Sequence, residues 1–319
     1  MYDVKFLGLE FTLNPVAFTL PFGNGWSVYW YGILIAVGFF MAFLYGLNRA
    51  PKLGINKDRL LDGVLITTPL AIVGARVYYV AFDPEVTIKE ILDIHDGGIA
   101  IYGAIIGAVI GIVISCYTRG INFLDCIDLV APCFFIGQAI GRWGNFFNQE
   151  AFGVNTNLPW GMYSEQGTFK KILADQLFYE KNMNLDPELP VHPCFLYESL
   201  LCIVGFVILH LVMKRRSFRG QLVLLYGIIY GSGRFFIEGI RTDSLMIGSL
   251  RVSQLLSAVI VIACVVVYIL CLRKSKEKRE RESDYKPLFN NDITEDLTLT
   301  LKDVLEEGSS ATETEGWES

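Results

Sequence analysis

The chain has 319 residues, 52% of them hydrophobic and only 19% charged, with a mean hydropathy of +0.42. An ordinary soluble domain carries about 25% charge, so a pair of soluble domains of usual size is excluded. The formal charge of −6 belongs to one end: residues 282–319 hold 11 acids and 2 bases, leaving 25 bases against 22 acids, or +3, for residues 1–281. No basic stripe is interleaved with aromatics, so nucleic acid is not an expected partner.

In chain order, Met1 is followed by mixed, partly acidic residues rather than by the basic start of a signal peptide. Seven apolar runs follow, at 28–47, 60–82, 97–118, 123–145, 193–213, 221–240 and 250–272. Each is close to the ~20 residues that cross a bilayer. The second, fourth and sixth carry polar residues that a lipid-facing helix avoids, so these three are expected to face protein or a cavity.

Lysine and arginine set the expected direction. Arg49, Lys52, Lys57 and Arg59 follow the first run, Lys214, Arg215, Arg216 and Arg219 follow the fifth, and Arg273, Lys274, Lys276, Lys278, Arg279 and Arg281 follow the seventh. The other side has Lys5, Lys89 and Arg241, with Lys170, Lys171 and Lys181 diluted in a long acidic segment. The expected fold is therefore an all-α integral membrane protein with seven transmembrane helices, its N-terminus outside and its C-terminus inside. Residues 146–192 read as a small extracytoplasmic head inserted in a seven-span domain, 1–281. Residues 282–319, acidic and rich in Ser and Thr, read as a disordered cytoplasmic tail.

With that direction assigned, polar residues fall at one depth. Arg76 closes the second run; Gly97, Gly98 and Tyr102 open the third; Arg142 and Asn145 close the fourth. His192, Tyr197 and Glu198 open the fifth, and Tyr230, Arg234, Glu238 and Arg241 close the sixth. Intramembrane ionisable residues are costly and mark function. A transporter more often places its site near the midplane, whereas these residues point to headgroup depth in the outer leaflet. Arg234, Glu238 and Arg241 share one helical face, which fits either a structural ion pair or a ligand site. Several arginines without matching carboxylates suggest an anion, and the forked guanidinium suits phosphate.

The seven cysteines include no C-x-x-C pair and lie mostly in apolar runs, so they read as buried small hydrophobes. His95, His192 and His210 are scattered and make no metal-ligand cluster. Tyr230-Gly231-Ser232-Gly233 resembles an intramembrane serine nucleophile, but no histidine follows His210, and small-residue helix packing explains it better.

The segment GRWGNFFNQEAFG at 141–153 resembles the signature G-R-x-[GA]-N-F-x-N-x-E-x-x-G of the prolipoprotein diacylglyceryl transferase family at every fixed position. NPVAF (14–18), WYG (30–32), GAR (74–76), GGIAIYGA (97–104), HP…LYE (192–198) and YGSGRFFIEGIR (230–241) stand in the family's order. The resemblance implies a multi-pass enzyme of the bacterial plasma membrane, with its active site facing the outer leaflet. Such enzymes transfer the diacylglyceryl group of phosphatidylglycerol to the lipobox cysteine of prolipoproteins, the first step of lipoprotein maturation. A thioether forms, glycerol phosphate leaves, and no metal or soluble cofactor is required.

The resemblance further implies Arg142 and Arg234 as the catalytic cations, stabilising the charge that develops on the departing phosphate. Glu150, Glu238, Asn145, Gly153, Tyr31 and Tyr230 join Arg142 in holding phosphatidylglycerol. Many relatives have histidine where this chain has Tyr102, the third catalytic candidate. Tyrosine, with a pKa of ~10, is a poor base unless cations lower it, so Tyr102, Glu198, His192 or no dedicated base remain alternatives. Two other classes are an anion or lipid transporter with an outer-leaflet phosphate pocket, and a non-catalytic lipid-binding protein.

Overall fold

The computed structural model describes residues 1–21, 25–82, 100–179, 185–242, 246–247 and 250–284. Lys89, His95, Gly97, Gly98, Lys181 and the tail beyond 284 lie outside the described residues. The elements begin with β1 (Tyr2–Phe6), β2 (Leu9–Leu13), β3 (Val16–Leu20) and β4 (Trp26–Tyr29). Helices α1 (Trp30–Arg49), α2 (Lys57–Phe82), α3 (Ile101–Arg119) and α4 (Phe123–Asn148) come next. β5 (Met162–Ser164), α5 (Lys170–Tyr179), α6 (Cys194–Met213), α7 (Gln221–Ile240), a short β6–β7 hairpin (Met246–Ile247, Leu250–Arg251) and α8 (Val252–Asp284) complete the order. Among the described residues seven helices are long and apolar enough to cross a membrane: all of these except α5. They coincide with the seven runs read from the sequence. Chain packing separates a compact unit, Met1–Cys271, from Leu272–Ser319.

Helix α4 is the hub. Phe135, at 0% exposure, packs against Gly205 of α6 and the Tyr226 ring of α7, 4.7 Å away. Gly38 of α1 lies against the backbone of Gly137, and Ser199 Oγ of α6 donates to the Ala139 carbonyl at 2.8 Å. In lipid, where water cannot satisfy polar groups, such close packing and internal hydrogen bonds replace the hydrophobic drive of soluble cores. The outward faces of α1, α3 and α8 are exposed Ile, Val, Leu and Phe, as a hydrocarbon solvent allows.

Helices α2 and α3 form a second layer with backbone nearly touching backbone. A Cβ on Gly103 or Gly107 would overlap the carbonyl oxygens of Gly74 or Leu70. Gly107→Val is therefore expected to force α2 and α3 apart and cost about 1–3 kcal/mol, lowering the thermal midpoint of the detergent-solubilised protein. An unchanged midpoint would mean that the two helices are free to separate.

At one end of the bundle the chain builds a head. β1 pairs antiparallel with β2 (Tyr2↔Leu13 to Phe6↔Leu9) and with β5 (Val4↔Ser164), giving sheet order β2-β1-β5. Its buried face (Val4, Phe6, Met162, Val191) packs onto Phe146 of α4 and Phe195 of α6, so the head sits directly on the ends of those helices. The head is larger than the expected 146–192, because its sheet also recruits residues 2–13.

At the opposite end Asp128, fully buried, accepts from the backbone N–H of Gly220 (2.8 Å), Leu222 (2.8 Å) and Val223 (3.0 Å), and from Arg216 Nη1 (2.9 Å). It satisfies the orphan donors at the start of α7 and ties that helix to α4.

Candidate active site

The head end of the bundle collects the polar residues of α4, α6 and α7 around one carboxylate. Glu198, on the first turns of α6, is 1% exposed. Its Oε1 accepts from Arg234 Nη1 at 2.7 Å and from Arg241 Nη1 at 3.0 Å. Arg142 Nη2 lies 2.6 Å from Oε2, an ion pair off the hydrogen-bond direction. Arg234 Nη2 also pairs with Glu238 Oε2 at 2.6 Å, one turn along α7. The arginines that look unmatched in the sequence thus share a carboxylate supplied by a different helix, which spacing along one helix cannot reveal.

Among the described residues, three guanidinium groups gather on two carboxylates. Arg142 Nη2 also donates to Tyr230 Oη at 3.4 Å, and Tyr230 stacks on Tyr226 at 5.6 Å. Arg251, at the end of β7, donates to the carbonyls of Glu238 and Arg241, closing the C-terminal end of α7 as a cation should.

The signature segment occupies the end of α4 and the turn beyond it. Asn145 and Asn148 Nδ2 both donate to Glu150 Oε1, at 3.1 and 3.2 Å. Gln149, fully buried with φ 48°, reverses the chain. Lys171 of α5 donates to the carbonyls of Asn148 (2.6 Å) and Gln149 (2.9 Å), so the head clamps the turn that aims Asn145 and Glu150. The sequence held no signal for this lysine, which stands 23 residues beyond its acceptor.

Gly153 serves close packing. A Cβ there would lie 2.8 Å from His192 Cβ, 2.9 Å from the Ile240 carbonyl and 3.0 Å from Cys194 Sγ. Its N–H donates to the His192 carbonyl at 2.9 Å, and it bridges Arg241 antiparallel. Tyr31, at the start of α1, lays its ring on Gly144, where no side chain would fit.

Arg142, Arg234, Glu238 and Tyr230 are therefore brought together, with Asn145, Glu150, Gly153 and Tyr31 around the same helix ends. Tyr102 stands on the α2–α3 layer, 66% exposed, its ring 6.2 Å from that of Tyr78. Beside it an apolar groove of about 400 Å3 runs between α2 and α3, lined by residues such as Leu70, Tyr78, Phe82 and Ile110. None of the arginines lines that groove.

Seven candidate spans with polar residues gathered at one end of the bundle define a multi-pass membrane protein. The chain belongs to the prolipoprotein diacylglyceryl transferase family, whose model matches residues 15–270. It is 43% identical over 261 residues to the phosphatidylglycerol–prolipoprotein diacylglyceryl transferase of Finegoldia magna, covering 81% of this chain and 95% of that one. The enzyme of the same name from Clostridium novyi is 43% identical (83% and 98% covered), and that from Bacillus cereus 40% identical (87% and 99%).

Proposed function

We propose that this protein transfers the diacylglyceryl group of phosphatidylglycerol to the lipobox cysteine of prolipoproteins in the bacterial plasma membrane, with its site open to the outer leaflet. The observation that carries the reading is the cluster of Arg142, Arg234 and Arg241 gathered on Glu198 and Glu238 at one end of the bundle. A phosphodiester carries one negative charge and suits the forked donors of these guanidinium groups. In an apolar setting such a match counts for far more than it would in water.

The cysteine sulfur forms a bond to the terminal glycerol carbon of the diacylglyceryl group as the bond from that carbon to the phosphate oxygen breaks. The electron pair goes to the departing phosphate, and glycerol phosphate leaves. Arg142 and Arg234 hold that phosphate, stabilising charge that grows in the transition state. Glu198 and Glu238 aim the guanidinium groups. Asn145 and Glu150 face the headgroup glycerol, with Tyr31 and Tyr230 as walls and Gly153 as the close-packed support. Tyr102 enters the reading as a proton-handling hydroxyl by its motif position. The head, 146–192, then lies outside the cell, and nucleic acid has no part.

Purified protein in phosphatidylglycerol vesicles, given a lipobox peptide, is expected to yield a peptide heavier by one diacylglyceryl group in thioether linkage, with glycerol phosphate released. Lipid movement across the vesicle without adduct would favour the transporter instead, a reading the relatives' transferase names do not favour. Orientation has its own test in a cysteine-free background. A cysteine at Glu188, exposed in the head, should react with an impermeant thiol reagent on intact cells, and one at Lys214 should not. Reversed labelling would move the site to the inner leaflet.

A further inference from the structure

A chain of hydrogen bonds beside the arginine group is not used by the reaction as described so far. Trp160 Nε1 donates to Tyr197 Oη at 2.8 Å, and the same oxygen lies 3.0 Å from His192 Nδ1. The His192 and Tyr197 rings meet edge-on at 5.9 Å. With the Trp160 N–H on one lone pair, the phenol oxygen can accept an Nδ1–H on its second; in that tautomer Nε2 is an acceptor.

The ring is also held from behind. The backbone of His192 donates to the Val154 carbonyl at 3.0 Å and accepts from Gly153 N–H at 2.9 Å. Gly153 in turn bridges Arg241, whose guanidinium belongs to the Glu198 group. His192 and Arg241 therefore occupy neighbouring backbone segments on either side of a glycine, about two strand spacings or ~10 Å apart. His192 is partly exposed, so a substrate can reach it.

We propose, resting on the transferase reading above, that His192 is a further catalytic residue whose Nε2 accepts the proton of the substrate thiol, with Tyr197 and Trp160 as positioning residues. The S–H bond breaks with its proton going to Nε2, and the sulfur pair forms the S–C bond. The C–O pair leaves on the phosphate. The imidazolium then returns its proton to the departing phosphate monoester, whose second pKa is about 6.

Burial lowers the pKa of His192 from its ordinary value, so the neutral, accepting form prevails at pH 7. Around it stand Tyr197 and Cys194 of α6, and Arg241 across Gly153 at the end of α7. Glu198 is engaged by the arginines. Activity that needs the neutral ring rises with pH through the His192 pKa, so its acidic limb should lie below the usual histidine range.

The test compares the full chain with its His192→Gln and Tyr197→Phe variants in phosphatidylglycerol vesicles. His192→Gln is expected to lower kcat about a hundredfold, with KM for the lipid within about twofold and the acidic limb gone. Tyr197→Phe should keep the limb but lower kcat, because the ring loses its orienting partner. A peptide with selenocysteine at the lipobox position, already ionised at neutral pH, should restore most of the rate of His192→Gln. A misfolded site would gain nothing from that peptide. The proposal is overturned if His192→Gln keeps the parent rate and limb, if selenocysteine does not restore it, or if Tyr102→Phe rather than His192→Gln abolishes the limb. Should His192→Gln fail to fold, an unchanged rate in Tyr197→Phe overturns the proposal. A parent protein that forms no adduct at all would refute the transferase reading instead.

Discussion

Arg142→Lys is expected to lower diacylglyceryl transfer by about two to three orders of magnitude while the protein still folds. The charge is conserved, so the loss isolates geometry. Among the described residues Arg142 reaches Glu198 Oε2 at 2.6 Å and Tyr230 Oη at 3.4 Å through the same Nη2, so Nη1 and Nε of its planar fork can face a ligand. Lysine offers one compact ammonium on a flexible stem. It can hold either the carboxylate or the phosphate, not both in a fixed plane. Losing a single preorganised donor to a developing oxyanion costs about 10²–10³ in rate, which sets the magnitude. Steady-state transfer from phosphatidylglycerol to a lipobox peptide, alongside the thermal midpoint, measures both halves. A variant as fast as the parent would make Arg142 a structural counter-ion of Glu198 and nothing more.

The spans were legible because an apolar run of ~20 residues is the strongest signal a sequence carries. The Arg234–Glu238 pair was equally readable, since neighbours on a helix face follow from spacing alone. Glu198 is a different case. Its sequence position places it at the right depth, but sharing it among Arg142, Arg234 and Arg241 is a property of how α4, α6 and α7 pack. The β1–β2 hairpin escaped for a local reason. Its turn has Leu7 at φ 52° and Gly8 at φ 76°, and Leu-Gly lacks the Asn-Gly signature that marks a hairpin with two positive φ angles. Asp128 illustrates the same limit: nothing in its spacing shows that it caps α7 from across the bundle.

Glu198→Gln is expected to cost about 3–5 kcal/mol of stability, the usual result of removing one partner from a buried ionic network. Its side chain is 2% exposed and serves three arginines, so no solvent stands ready to replace it. Glutamine keeps the shape but turns an N–H2 towards guanidinium groups that need an acceptor. The three guanidinium groups then lose the carboxylate they share, and repulsion among them should misalign the arginines and slow transfer. The same excess charge makes the variant hungrier for an anion. Phosphatidylglycerol should therefore raise its thermal midpoint by more than it raises the parent's. At a hundredfold excess over Kd a ligand stabilises by about 2.7 kcal/mol, enough to recover much of the loss. A zwitterionic lipid of the same chain length, with an ammonium beside its phosphate, should recover less. If the variant is as stable as the parent, the carboxylate does not balance the arginines. If it is destabilised but gains less than the parent from phosphatidylglycerol, the phosphate binds away from these arginines.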